Sequence, residues 1–304
     1  MLKIIEKTKI WFAISLTIIL IGTVMFFING LNFAIDFTGG TVVKVDMGKS
    51  FTEVQKNDAV DTILKKYDKD IIAIISKDPS KPDVTVLEIK GSSSNLTTEN
   101  TNAMFLELKT KYNLTDAALL SQDTIGATVG KELRDKAIMA IILASIIILI
   151  YIGIRFEFKF ATAAIIALLH DVLITIAVYI IFKIPIDAGF IAAMLTVIGY
   201  SVNDTIVVFD RIRENQKFMK KVDVSELANA SVTETYTRSI FTVLTVVIAL
   251  VSVHIFVPEM KNFTTPLIVG IVSGCYSSIY IASPLWVIFK HAEKKKRLKT
   301  RVRA

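Results

Sequence analysis

The most unusual setting in this 304-residue chain belongs to Asp204, an aspartate inside an apolar run. The run begins at Phe190, and the next charges after Asp204 are Asp210 and Arg211. A helix rises about 1.5 Å per residue, so Asp204 would lie roughly 10 Å inside the membrane interface that Arg211 marks. On insertion scales, the free energy of placing a carboxylate there is unfavourable by about 2.5–3.5 kcal/mol, so its presence indicates a structural or functional role. The sequence favours an ion-handling carboxylate; a polar contact that only joins helices is the alternative.

A helical wheel at about 100° per residue divides this segment into a polar and an apolar arc. We expect the polar arc to face protein, and it contains Thr196, Tyr200, Ser201, Asn203 and Asp204. We expect the apolar arc to face lipid, and it contains Ile191, Leu195, Ile198, Val202, Ile206 and Phe209. Ala193 and Gly199 lie on or beside the polar arc, where small residues permit close helix approach.

Arg238 begins the following apolar run and therefore lies at a similar depth to Asp204. Antiparallel neighbouring helices would bring the two together as an ion pair. Desolvation favours the neutral form of the Asp204 carboxyl group, whereas the arginine charge favours the ionised form. A proton-loading site needs such a balance between the two forms. The alternative is an arginine that snorkels to the lipid headgroups.

His170 and Asp171 lie about halfway along another apolar run. Adjacent helical residues point roughly 100° apart, so we expect each to have its own partner rather than to form one pair. A structural hydrogen-bonded cluster and a proton relay both remain open for these residues.

The composition is that of a membrane protein, with 53% hydrophobic residues and a mean hydropathy of +0.56. We predict six spans: Trp11–Phe27, Ala137–Ile154, Phe160–Phe182, Ala188–Phe209, Ser239–Val257 and Pro266–Phe289. The stretch 211–238 is predicted to be an amphipathic surface helix. The net charge of +7 is concentrated beside the spans, so the positive-inside rule places both termini in the cytoplasm and removes any need for nucleic acid.

A polar segment, residues 31–136, follows the first span and is expected to lie outside the cytoplasm. Its pattern predicts a βαββαβ order, typical of a small ferredoxin-like α+β domain. Ser50-x-x-Glu53 and Thr52-x-x-Gln55 both fit a capping box for its first helix. Asp36, Gly39 and Gly40 would form the junction into the domain, because glycine permits a sharp reversal; a hinge is the alternative.

The predicted organisation is therefore a tail with the first span (1–30), the domain (31–136), a five-helix bundle (137–289) and a basic tail (290–304). Anionic membrane lipid is the expected ligand of that tail. Hydrolase and metalloprotease motifs are absent from the sequence, and Met47-Gly48-Lys49-Ser50 lacks the first glycine of a P-loop. We therefore expect no catalytic residues, no metal and no cofactor.

Several stretches resemble the SecD/SecF family of the RND superfamily, in order and almost from end to end. They are Ile35–Thr41, Val129–Arg134, Ile154–Lys159, His170–Val172, Val197–Asn215 and Ser277–Ser283. The resemblance implies an accessory subunit of the Sec protein translocase in a bacterial-type inner membrane, working with the proton-motive force. It also implies a separate SecD partner, the Sec channel and an exported polypeptide, and it assigns the coupling roles to Asp204 and Arg238.

Two other functions remain as alternatives. A half-size RND-type exporter of small molecules or lipids would have a larger external region with a solute pocket. A purely structural scaffold would tolerate replacement of Asp204 by asparagine. The residues leave the coupling ion open between H⁺ and Na⁺.

Overall fold

The computed structural model describes residues 2–48, 51–77 and 83–303, with side chains up to residue 295. Ten helices occur in these ranges: α1 (Thr8–Asn29), α2 (Ile35–Thr38), α3 (Glu53–Thr62), α4 (Thr98–Tyr112), α5 (Ala127–Arg155), α6 (Phe158–Ile181), α7 (Ala188–Phe218), α8 (Val224–Phe256), α9 (Lys261–Ser277) and α10 (Ser283–Arg303). The strands are β1 (Gly40–Asp46), β2 (Ile72–Lys77), β3 (Thr85–Gly91) and β4 (Leu119–Ile125).

Within the described ranges, six helical stretches are long and apolar enough to cross a membrane, which confirms the predicted number. They are Ile5–Asn29, Ala127–Arg155, Phe158–Ile181, Ala188–Phe218, Val224–Phe256 and Pro258–Lys295. The last stretch joins α9 to α10 through a π-helical segment, Ser278–Ala282. Most of these helices are longer than predicted because their polar ends continue the helix beyond the apolar run.

The segment between α1 and α5 is the expected ferredoxin-like α+β domain. Its antiparallel sheet has the strand order β2–β3–β1–β4, and α3 and α4 cover one face. The buried core includes Val43 and Val45 of β1, Leu87 of β3 and Met104 of α4. Thr52 and Gln55 form the predicted capping box at the start of α3, whereas Ser50 lies outside the described residues.

The membrane helices pack around a centre made of α6, α7 and the α9–α10 stretch. About half or more of each apolar window is buried there, against 11% or less in α1, α5 and α8. Close approach of α9 to α7 depends on Gly270 and Gly274, since a Cβ at Gly274 would lie 3.0 Å from Cα of Ser201. Gly199, which we expected to permit such an approach, instead borders open space.

The predicted lipid-facing arc of α7 is wrong. Ile198, Val202 and Phe209 are buried in the centre of the bundle, with exposed fractions of 1%, 9% and 0%. The reason is that α7 contacts α6, α8 and α9 at once, so its apolar arc meets protein. The exposed stripe of α7 includes Gly199 and Asn203, on the side that we expected to meet protein.

The predicted surface helix at 211–238 is also wrong in form. Its first part is the end of α7 and its second part is the start of α8, joined by a turn at 219–223. Asn215 of α7 donates hydrogen bonds to Ser231 and Glu234 of α8, and Arg211 pairs with Glu234. These pairs satisfy the polar residues between two antiparallel helices, which is why the segment looks amphipathic.

Candidate functional site

Asp171 of α6 is the centre of a buried polar cluster between α6, α7 and α9. Its side chain is fully buried. The Oδ2 atom accepts hydrogen bonds from Ser201 at 2.6 Å and from Ser277 at 2.5 Å. The Oδ1 atom accepts one from Ser273 at 2.7 Å. Three hydroxyls from two neighbouring helices therefore converge on one carboxyl group.

His170 contacts the same carboxyl group, with 2.9 Å between its Nδ1 and Oδ1 of Asp171. The expectation that these neighbours would not pair with each other is wrong, because the side chains are long enough to bridge their angular separation. The His170 ring stacks on Tyr276, with centroids 6.0 Å apart. Its Nε2 atom is buried without a hydrogen-bond partner.

Asp204 lies on α7 one helical turn from Ser201, on the side toward Arg211. Its side chain is 7% exposed, and its Oδ2 atom is buried without a hydrogen-bond partner. Ser239, Ser278 and Arg238 all lie within interaction range of the carboxyl group. The hydroxyl of Ser239 is likewise buried and unpartnered. Asp204 is therefore a desolvated carboxyl with spare hydrogen-bonding capacity, unlike Asp171.

Arg238 of α8 is exposed and lines a groove between α7 and α8 with a volume of about 540 Å³. The structure describes both Arg238 and Asp204, and they interact through space without forming a salt bridge. The expected direct ion pair is therefore not made in this conformation. Asn203 lines the same groove and is exposed.

The predicted polar arc of α7 is divided by the structure. Ser201 and Asp204 point into the bundle, whereas Asn203 points into the groove. Thr196 donates a hydrogen bond to the carbonyl of Ala192 in its own helix. Tyr200 packs beside the apolar cluster of α7 and α9. Thr196 and Tyr200 therefore do not join the carboxyl cluster.

Sequence reasoning missed the serines that complete the site, which are Ser239, Ser273, Ser277 and Ser278. Ser273 and Ser277 are four residues apart and so share one helix face, which is the signal that would have identified them. Ser278 opens the π-helical segment, and its hydroxyl lies 2.8 Å from that of Thr205. Such π-segments occur frequently at functional sites.

Asp36, Gly39 and Gly40 form a compact junction between the domain and the membrane helices. Asp36 Oδ2 accepts a hydrogen bond from the backbone amide of Ala188, the first residue of α7. Gly39 has φ of +70°, and a Cβ there would lie 2.5 Å from Cα of Ala127. The junction thus contacts the first residues of both α5 and α7, and its last residue, Gly40, is also the first residue of β1.

In the part of the chain that the structure describes, no group of three or more His, Cys, Asp or Glu residues is arranged to hold a metal ion. What the site offers is two buried carboxyl groups, one hydrogen-bonded throughout and one with a free oxygen. This chemistry suits binding and release of a small cation, above all a proton.

Comparison with known protein families gives a consistent result. A model for the protein export membrane protein SecD/SecF, C-terminal, matches residues 106–292, and a second, for the SecD/SecF GG motif, matches residues 24–50. The chain belongs to the SecD/SecF family. The GG-motif match includes the Asp36–Gly40 junction, and the longer match includes both carboxyl groups of the bundle.

Relatives in this family match almost the whole chain. Protein translocase subunit SecF of Sebaldella termitidis is 39% identical, over 96% of this chain and 93% of that protein. Protein translocase subunit SecDF of Bacillus subtilis is 37% identical, and the chain spans only 38% of its length. SecDF therefore contains a large region with no counterpart in this chain.

The crystal structure of SecDF from Thermus thermophilus, a translocon-associated membrane protein, has the same architecture. The TM-score is 0.79 at 31% identity, over 95% of this chain and 39% of that one. A second SecDF structure, in a super-membrane-facing form, gives a TM-score of 0.69. The chain is thus a multi-pass membrane protein whose six apolar helices and α+β domain have the fold of part of SecDF.

Proposed function

We propose that this chain is an accessory subunit of the Sec protein translocase, which works with a separate SecD subunit and uses an ion gradient to promote protein export. The observation that carries the proposal is the match to SecF over nearly its full length. The buried, incompletely bonded carboxyl of Asp204 supports the ion-coupling part.

The proposed SecD partner would occupy the exposed face of α7 and α8. That face contains Asn203 and Arg238, which are poorly suited to contact lipid chains. The fused SecDF relatives support the association, since this chain corresponds to less than half of each. A protein surface against the groove would cover both polar side chains.

Proton binding at Asp204 is the proposed coupling step. A proton on Asp204 removes its negative charge, and the attraction to Arg238 disappears with it. The packing of α7 against α8 then changes, and α7 transmits the change to Asp36 at its first turn. One elementary charge moving through 100 mV supplies about 2.3 kcal/mol, which changes a two-state equilibrium by roughly fifty-fold.

The orientation that fits this function places both termini in the cytoplasm and the α+β domain outside, in a bacterial-type inner membrane. The basic residues beside the helix ends support it through the positive-inside rule. The domain would then meet the exported polypeptide, and the basic residues from Lys290 onward would contact anionic lipid.

Reconstitution tests the accessory role. Vesicles would contain the Sec channel and SecD, with or without this chain, and uptake or release of a precursor protein would be measured. We expect the chain to co-purify with SecD and to increase the export rate. An unchanged rate, combined with efflux of small molecules or lipids by the chain, would favour the half-size exporter instead.

A further inference from the structure

We propose that Asp171, together with His170, is a second proton-binding site that is electrostatically coupled to Asp204. This inference rests on the proposed function of Asp204 and extends it from one titrating group to a pair. Asp171 would then bind and release a proton, in addition to joining helices α6, α7 and α9.

The position of Asp171 in the bundle supports a functional pair. Asp171 is thirteen residues from the start of α6, about 20 Å along the helix, which is near the middle of a membrane. Its partner Ser201 precedes Asp204 by one turn of α7. The two carboxyl groups therefore lie in the same part of the bundle, and they are within electrostatic range of each other. Two negative charges repel each other in a poorly hydrated interior, so the two carboxyl groups compete for protons.

The hydroxyls around Asp171 can serve both of its protonation states. In the structure both carboxyl oxygens of Asp171 accept hydrogen bonds. This arrangement suits the ionised form, which has acceptors only. Ser277 also lies 3.1 Å from the carbonyl oxygen of Gly274. When Asp171 takes a proton, the hydroxyl of Ser277 can turn its own hydrogen to Gly274 and accept from the new O–H. The cluster therefore tolerates a change of charge without leaving a donor unpaired.

Several titratable groups on the surrounding elements lie close to the two carboxyl groups. They are His170 on α6, Cys275 and Tyr276 on α9, Tyr280 in the π-helical segment and Arg238 on α8. His170 is the group in direct contact with the carboxyl group of Asp171, through its Nδ1 atom. Its Nε2 atom is buried and unpartnered, so the imidazole has one nitrogen available for proton exchange while the other contacts Asp171.

The proposed exchange is balanced in protons. A hydronium ion of the aqueous phase gives up one proton and becomes water, and Asp171 becomes a carboxylic acid while Asp204 remains ionised; the same proton returns to water when the pair releases it. In the alternate state Asp204 holds the proton and Asp171 is the carboxylate. Ser277 donates to Asp171. Ser278, the next residue, lies within hydrogen-bonding range of Asp204 and 2.8 Å from the hydroxyl of Thr205. Each of these hydroxyls can accept one proton while releasing another. No electron transfer or additional reactant is involved.

Infrared difference spectroscopy tests this pair directly. The full chain in lipid vesicles would be taken through a pH titration while the carbonyl absorbance of protonated carboxyl groups is followed. We expect two carboxyl contributions in the wild type. Asp171→Asn should remove the absorbance of Asp171. It should also move the titration midpoint of the Asp204 absorbance by about one pH unit, because a coupled negative charge has been removed. His170→Gln should shift the Asp171 contribution, and Asp210→Asn, an exposed carboxylate on α7, should change neither.

A second variant covers the case in which Asp171→Asn fails to fold. Ser201→Ala keeps the carboxyl group and removes one donor, so the Asp171 contribution should shift in frequency. If neither variant changes the carboxyl absorbance, Asp171 stays permanently ionised and the inference is wrong. That result leaves the proposed role of Asp204 standing, because the Asp204→Asn spectrum and the export assay report on it separately.

Discussion

Asp36 and Ala188 are joined by a hydrogen bond of 3.0 Å between a junction carboxylate and the first amide of α7. Asp187 accepts from Phe190 at the same helix end. Two carboxylates therefore stabilise the start of the helix that carries Asp204, and one of them belongs to the segment that leads into the α+β domain. A movement of α7 along its axis would therefore displace Asp36 directly, through this hydrogen bond.

Asp36→Ala should loosen this connection. Loss of a carboxylate at a helix start costs about 0.5–2 kcal/mol, so we expect faster hydrogen exchange at the first amides of α7 and a smaller export stimulation. Asp46→Ala is the matched control, because Asp46 accepts from the amide of Gly48 within the domain. Unchanged exchange and unchanged export in Asp36→Ala would show that the junction does not transmit motion.

Gly39 should tolerate alanine far less well than Gly48 does. Both have positive φ, +70° and +78°, and alanine in such a sparsely populated backbone conformation costs about 1–3 kcal/mol. Only Gly39 also meets backbone atoms of α5, and this overpacking should add about 1–3 kcal/mol. Thermal unfolding of the intact protein in detergent measures the difference. Equal losses of stability for the two variants would mean that the contact with Ala127 is not tight.

Gly274→Ala should separate α9 from α7. The added Cβ would lie 3.0 Å from Cα of Ser201, and the expected cost is about 1–3 kcal/mol. Because Ser201 and Ser277 both donate to Asp171, the infrared signal of that carboxyl should change as well. Gly199→Ala, facing open space on α7, should leave both the stability and the signal of the isolated chain within error. The reverse order of effects would contradict the packing described above.

Asp68 should make the stability of the α+β domain depend on pH. Burial opposes its ionisation, but hydrogen bonds from the amides of Ser92 and Asp70 and from Asn95 lower the pKa of Asp68 below its ordinary value of 3.8. The stabilisation is therefore complete above pH 3.8 and is lost as the pH falls through the lower folded value. Replacement by asparagine should cost about 1–3 kcal/mol near neutral pH.

The measurement for Asp68 is urea unfolding of the intact protein, followed through protease cleavage of the domain at several pH values. Asp68→Asn should flatten the acid limb of the stability profile. Asp61→Asn serves as the control, because its ion pair with Lys65 is exposed and such pairs contribute little. An acid limb that is the same in wild type and Asp68→Asn would exclude this source of the pH dependence.

Much of the fold follows from periodicity in the sequence. Six apolar runs and a βαββαβ pattern are enough to predict the membrane helices and the ferredoxin-like domain. The prediction of a lipid-facing arc on α7 was wrong because lipid chains and buried side chains are equally apolar. The residue types of Ile198 and Phe209 therefore do not show whether they contact lipid or protein. The serines of α9 were missed for a related reason, since a hydroxyl in a membrane helix often bonds its own backbone.

The chemistry was only partly predictable. Asp204 stands out because a lone carboxylate in an apolar run is costly in any environment. The role of Asp171 as the centre of three hydroxyls depends on where α6, α7 and α9 cross, which no single helix reveals. The pairing of His170 with Asp171 likewise depends on side-chain reach and not on the angle between neighbours.

The most direct test of the ion-coupling account is gradient-dependent export. Vesicles with the Sec channel, SecD and this chain would be assayed with the proton gradient imposed or collapsed, and again with a sodium gradient. We predict that a gradient accelerates export with the wild-type chain and with Asp210→Asn, and that Asp204→Asn abolishes the acceleration while still binding SecD. If Asp204→Asn keeps the full acceleration, Asp204 is a contact between helices and the ion-coupling account is wrong.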